Sequence, residues 1–375
     1  MEKYNRINVP VLALAQLPPP MHGAAAVNRD VVTSGPLNDS FHIVTIPIQL
    51  SSSMSDISTP SLVKFIKVTR NALKTSMALW RERPAFVYFT IPPHGGGFYA
   101  NLPLVLLAKI FRAPLLYHFH GKGIRKAADK SIFYRRLFAW AMRDAHVIFL
   151  SERLYDDAAD FVPKSQVFFL PNALLAPPPL PDASTRDGRH ILFLSNLIET
   201  KGPIIVLDAL ALLKQRGIPF RASFAGAPRG ALSIETFKTA IRSRHLEEAV
   251  RYLGPVAGKD KEELLCSADM LAFPTDNDAF PLVVLEAMSA GLAVVATPEG
   301  AIPDMLRDGE TGFIVPHHNP EKLTDALQRL LEDHELCRHM GRRGWEIVTS
   351  EYSHDVYHQR MKDIWHTLAD KKRTT

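Results

Sequence analysis

Asp278 stands eight positions ahead of Glu286, and the stretch between them, DAFPLVVLE, runs from a turn into a helix. Leu282, Val283, Leu285 and Met288 follow helical spacing, Gly291 stops the helix, and Ala293–Thr297 (AVVAT) reads as a buried strand. Backbone amides at Leu282 and Val283 would open this helix, and Pro281, which lacks an N–H, fits its first position. Such amides and the positive end of a helix suit phosphate, while a carboxylate on an early turn accepts hydrogen bonds from sugar hydroxyls. Together they suit a nucleotide sugar.

Helix-length segments alternate with apolar runs throughout, and this positions the pair. In the first half the runs are Val9–Ala15, Ile43–Ile48, Phe86–Thr90, Leu115–His120, Val147–Ser151 and Val167–Leu170. In the second they are Ile191–Ser195, Arg221–Ala225, Arg251–Gly254, Met270–Pro274, Ala293–Thr297 and Gly312–Val315. The pattern predicts an α/β protein whose parallel sheets are covered by helices on both faces. Proline crowding at 171, 177, 178, 179 and 181, with loss of apolar period, marks a linker. The domain reading is residues 1–171, a Pro-rich linker 172–189, residues 190–352, and a C-terminal helix within 353–375. Ligands of such sheets bind beyond the carboxyl ends of the strands, where the winding reverses.

The stretch TDNDAFPLVVLEAMSAGLAVVATPEGAIPDMLRDGETG resembles the acidic-x7-Glu signature of the retaining GT-B glycosyltransferases of group 1, the family 4-like enzymes. The resemblance is concentrated in residues 190–316. It implies two Rossmann-like domains facing a cleft, the first for the acceptor and the second for the donor, with the last helix returning to the first domain. By it, Glu286 would bind the ribose, Asp278 would contact the transferred sugar from the family's first-glutamate position, and the amides of Leu282 and Val283 would hold the β-phosphate. Lys201, in LSNLIETKG, matches a lysine-glycine that neutralises the diphosphate; the family's preceding arginine is replaced by Asn196, which carries no charge and no guanidinium fork. His120, ending LLYHFHG, matches a histidine near the sugar, and His118 is expected on the opposite strand face. The loop Pro18–Gly23 (PPPMHG), with His22 and Gly23, resembles the family's flexible first loop near phosphate and acceptor. Asp276-x-Asp278 imitates a metal-binding aspartate pair; in this family no metal or other cofactor is expected, and the donor would be a UDP- or GDP-sugar. Pro298–Ala301 and the DGETGFIVP run are read as structural.

With 375 residues, 46% of them hydrophobic, the chain can build two full cores. No apolar run reaches membrane-spanning length. Lys3 and Arg6 ahead of Val9–Ala15 could imitate a signal peptide, but VPVLALAQ reads better as a first strand. Two cysteines, Cys266 and Cys337, imply no disulfide framework and a cytoplasmic setting. The net charge of +5 permits contact with phosphates or anionic lipid, and nucleic-acid binding is not expected from it alone. Basic residues concentrate in Lys122–Arg143 and in Ser61–Arg83, where Lys67, Lys74 and Arg81 repeat every seven residues. Leu62, Ile66, Leu73, Met77 and Trp80 form an apolar stripe expected on the opposite face of that helix. Such a helix is either packed on the core or set against the inner face of a membrane, where the acceptor would be a lipid-linked or polysaccharide glycan. The expected function is retaining sugar transfer from a nucleoside-diphosphate sugar. A non-transferring sugar-nucleotide-binding subunit is the alternative, and a sugar-nucleotide epimerase a weaker one.

Overall fold

A computed structural model describes residues 9–18, 23–48, 62–174, 180–182 and 186–373. The chain packs as two units, one of Met1–Asn172 with Asp355–Thr375, the other of Ala173–His354. The first contains β1 (Val9–Ala15), α1 (Gly23–Thr33), α2 (Gly35–Asn38), β2 (Phe41–Pro47), α3 (Leu62–Glu82), β3 (Phe86–Phe89) and α4 (Gly95–Ile110). It continues with β4 (Leu115–Phe119), α5 (Ile124–Lys130), α6 (Ile132–Met142), β5 (His146–Phe149), α7 (Glu152–Tyr155) and β6 (Val167–Phe169). Its six strands are parallel, in the order β2-β1-β3-β4-β5-β6.

The second unit runs β7 (His190–Leu194), α8 (Pro203–Gln215), β8 (Arg221–Ala225), α9 (Ile234–Ser243), β9 (Val250–Gly254), α10 (Gly258–Ser267) and β10 (Met270–Phe273). There follow α11 (Leu282–Ser289), β11 (Ala293–Ala296), α12 (Ile302–Met305), β12 (Gly312–Ile314), α13 (Pro320–Glu332) and α14 (His334–Glu351). Its parallel sheet has the order β12-β11-β10-β7-β8-β9. Central strands such as HILFL of β7 and AVVA of β11 are buried along their whole length because helices cover both faces. Each apolar run singled out in the sequence is a strand. In both sheets the first strand lies inside, so the winding reverses between β1 and β3 in one unit and between β7 and β10 in the other.

The last helix, α15 (His354–Arg373), packs from Asp355 onward within the first unit. Its Trp365 is fully buried, with ring centroids 5.3 Å from Phe41 and 5.5 Å from both Phe86 and Tyr88. His358, also buried, lies 2.7 Å from the Ser34 hydroxyl and 2.9 Å from Asp30, tying the helix to α1 and its C-terminal end.

Two sequence expectations are corrected. The 172–189 segment is not linker to its end, because Arg186 is buried in the second unit. Its guanidinium donates to the carbonyls of Ala290 (2.7 Å), Gly291 (3.2 Å) and Cys266 (2.9 Å), capping the C-terminal ends of α10 and α11. Pro177–Pro179 lie outside the described residues. The apolar stripe of α3 is not opposite its basic row: at about 100° per residue the two lie roughly a quarter turn apart.

Candidate functional site

The site in the second unit gathers at the carboxyl edge of its sheet, on the loops after β7, β10 and β11. The β7 loop enters α8 through Gly202, whose φ is 77°; a Cβ there would lie 2.4 Å from the Pro274 carbonyl oxygen. Only glycine allows this approach, and it brings Lys201 against the β10 loop. The Thr200 carbonyl accepts from the Asp276 amide at 2.8 Å and the Thr275 hydroxyl at 3.2 Å. These bonds cross the point at which the sheet's winding reverses.

Lys201 and Asp278 meet there. The ammonium lies 2.5 Å from Asp278 Oδ2 and donates to the Asn277 carbonyl at 2.8 Å. Both side chains are about four-fifths covered, at 17% and 21% exposure. An ammonium has three donors, so one N–H remains for a ligand oxygen. From the other side, Glu299 Oε1 accepts the Asp278 amide (3.2 Å), the Thr297 hydroxyl donates to the Thr275 carbonyl (2.5 Å), and the Ala301 amide donates to Ala279 (2.9 Å). Gly300, at φ 54°, leaves room for this: its Cβ would stand 2.4 Å from the Asp278 carbonyl oxygen. The Pro298–Ala301 run therefore braces the Asp278 loop.

Helix α11 begins at Leu282, so Pro281 occupies the N-cap and not the first helical position. The Val284 amide bonds to the Pro281 carbonyl at 3.1 Å, placing the Leu282 and Val283 amides ahead of the ladder, with no side-chain cap. This end of the helix can receive an anion. Glu286, one turn on, is half-buried and lies 2.6 Å from the ammonium of Lys261 on α10. Asn196 is exposed just beyond β7, where its neighbour Leu197 exchanges backbone bonds with the loop after β8. The carboxylates of Asp276-x-Asp278 diverge: Asp276 bonds His317 Nδ1 at 2.8 Å and approaches His318 Nε2 at 3.2 Å.

In the first unit, Gly23 opens α1 and His22 lies outside the described residues. His120 follows β4 on the same side as His118, their ring centroids 4.1 Å apart. The expectation of opposite faces was wrong, because residues two apart in a strand share a face. His118 is the packed member, 2.8 Å from the Tyr88 hydroxyl. Burial, then the neighbouring His120, holds its pKa well below the ordinary histidine value. The next loop is fixed by Asp157, which accepts the amides of Gly123 (2.5 Å), Ile124 (2.7 Å) and Arg125 (2.9 Å).

Sequence reasoning missed Lys261, Asp157 and the His317–His318 pair. Their partners lie 25 to 42 positions away, and only the adjacent histidines after a strand offered a local signal.

Residues 182–346, which hold the whole of this arrangement in the second unit, match the model described as "Glycosyl transferases group 1". This segment is similar to the group 1 glycosyltransferases. Curated relatives share a stretch of comparable length. D-inositol 3-phosphate glycosyltransferase of Corynebacterium diphtheriae is 35% identical over 152 residues, 40% of this chain and 36% of that protein. Its counterpart in Paenarthrobacter aurescens is 32% identical over 158 residues, 42% of this chain and 38% of that protein. The matches thus span little more than a third of these relatives. The fold match is wider. Sucrose-phosphate synthase from Thermosynechococcus elongatus superposes with a TM-score of 0.74 at 17% identity, covering 96% of this chain and 99% of that one. Anabaena HepE, solved in complex with UDP, gives 0.72 at 17% identity, covering 96% and 100%. Both units therefore share the two-sheet α/β architecture of GT-B glycosyltransferases.

Proposed function

We propose that the protein transfers a sugar from a nucleoside-diphosphate donor to a glycan acceptor with retention of anomeric configuration. The observation that carries this is the Lys201–Asp278 pair beside the uncapped start of α11, on the edge where nucleotides bind in wound sheets. The relatives' names and the UDP seen with HepE support the same reading.

In the transfer step the bond from the anomeric carbon to the donor phosphate breaks, its electron pair leaving with the diphosphate. Lys201 and the amides of Leu282 and Val283 stabilise the charge that grows on the phosphate oxygens. The acceptor hydroxyl attacks the oxocarbenium-like carbon from the same face, and its proton passes to the departing phosphate oxygen. Asp278 holds the sugar near its reacting centre, and Glu286 accepts hydrogen bonds from the ribose. His120 lies near the transferred sugar and orients it, and the first unit takes the acceptor. No metal enters this scheme. The acceptor is a lipid-linked or polymeric glycan, met at the inner face of a membrane in the cytoplasm; no described helix is long and apolar enough to cross a bilayer.

Thermal denaturation against a panel of UDP-, GDP- and ADP-sugars tests the donor site. One nucleotide family should raise the melting temperature, and Glu286→Ala should weaken that affinity roughly tenfold to a hundredfold, as loss of charged hydrogen bonds does. No shift with any donor overturns the reading. A shift without transfer would favour a donor-binding partner subunit, which the uncharged Asn196 would suit.

A further inference from the structure

The geometry points to the exposed side of α3, continued onto the end of α4, as a docking surface for an anionic lipid bilayer. Helix α3 is turned inside out. Its inward face carries Asn71 and Thr75, both buried, with Val68 and Leu79 beside them, and the buried Thr75 hydroxyl has no hydrogen-bond partner. Its outward face carries the large apolar residues: Ile66, Leu73, Met77 and Trp80 are 56%, 64%, 59% and 68% exposed. Spaced at seven, four and three, they form one stripe. A row of this kind on a soluble face marks an interaction surface and not a core element.

The occupant follows from charge. Arg70, Lys74 and Arg81 line the helix about a quarter turn from the stripe, against Glu82 as its single acid among described residues. Trp80 and Phe111 line a common groove with Arg83 and Arg112, which carries the surface onto α4. Helix α4 has no acidic residue, and it presents exposed Leu106 and Ile110 beside Lys109. Apolar residues flanked by cations, with an indole at the boundary, suit acyl chains below and anionic headgroups above. A second copy of this face would oppose cation to cation, which disfavours self-association through it.

The surface rests on the glycosyl-transfer reading only for its purpose, which is to hold the acceptor-side unit at the membrane. Co-sedimentation of the full chain with phosphatidylcholine vesicles, with and without phosphatidylglycerol, tests it. The chain should pellet with the anionic vesicles alone and be released at high salt. Leu73→Ser with Trp80→Ser, and separately Arg70→Glu with Lys74→Glu, should each lower partitioning at least about tenfold. Both variants should keep the nucleotide-sugar thermal shift of the parent. Failure of the parent to pellet, or variants that pellet equally, would overturn the assignment. So would a dimer of the parent that either variant dissociates. Loss of the nucleotide shift in a parent that still pellets would sink the donor reading and leave this surface standing.

Discussion

Lys201 is the residue on which the proposed chemistry turns. Its pairing with Asp278 is largely buried, and such a pair is worth little net stability because desolvation offsets the attraction. Its value lies in placement: a cation held at the mouth of α11 before any ligand arrives loses no orientation when charge develops on a leaving phosphate. Lys201→Met removes that cation and leaves Asp278 as an uncompensated carboxylate beside the diphosphate. The turnover rate should fall about a hundredfold or more, with a smaller change in KM, measured as initial rates with the donor that the thermal panel selects. Equal losses through KM alone would show that Lys201 binds the donor without assisting its departure. The Lys261–Glu286 pair occupies the second carboxylate in the same fashion, so under the proposed reading a donor hydroxyl would share Glu286 with an ammonium.

At the level of elements, the site depends on two loops that touch because a glycine lets them. Gly202 joins β7 to α8 in a left-handed conformation, and any side chain there would press into the Pro274 carbonyl after β10. Gly202→Ala should cost about 1 to 3 kcal/mol through backbone strain alone. The expected result is a melting temperature lower by several degrees, with a weakened nucleotide shift, because the same strain moves Lys201 away from Asp278. An unchanged melting temperature would mean the loop relaxes without cost. Helix α3 teaches the reverse lesson about elements: its hydrophobic pattern was legible, yet which face meets the sheet was decided by the small residues Asn71, Ala72, Thr75 and Ala78, which allow close packing.

At the scale of the molecule, stability depends on histidines that the fold keeps neutral. Burial lowers the pKa of His118 and His146 in the first unit and of His190 in the second. Each takes up a proton more readily unfolded than folded, so its neutral burial costs nothing above the ordinary value of 6.5 and progressively destabilises the fold as pH drops below it. The urea midpoint should therefore be level above pH 6.5 and fall from there toward lower pH. His118→Gln should lessen that fall, whatever its effect at neutral pH. A flat midpoint across the range would show that these groups titrate alike in both states. The C-terminal helix adds a second whole-molecule constraint, since Trp365 packs on Phe41, Phe86 and Tyr88, more than 270 positions earlier in the chain.

Strand positions, the two-sheet α/β class and the group 1 segment could be read from the sequence because each depends on local pattern. A buried parallel strand must be a short apolar run, and the turn from Asp278 into the Glu286 helix is contiguous in the chain. Pairings across the fold were not readable in that way. The Lys201–Asp278 contact spans 77 positions and exists because the sheet reverses between β7 and β10 and Gly202 permits the approach. Lys261 on Glu286, Arg186 on the ends of α10 and α11, and the outward turn of the α3 stripe likewise follow from packing. Sequence pattern determines which faces a segment has; the tertiary structure alone decides what each face meets, because that depends on the shapes of segments far away in the chain.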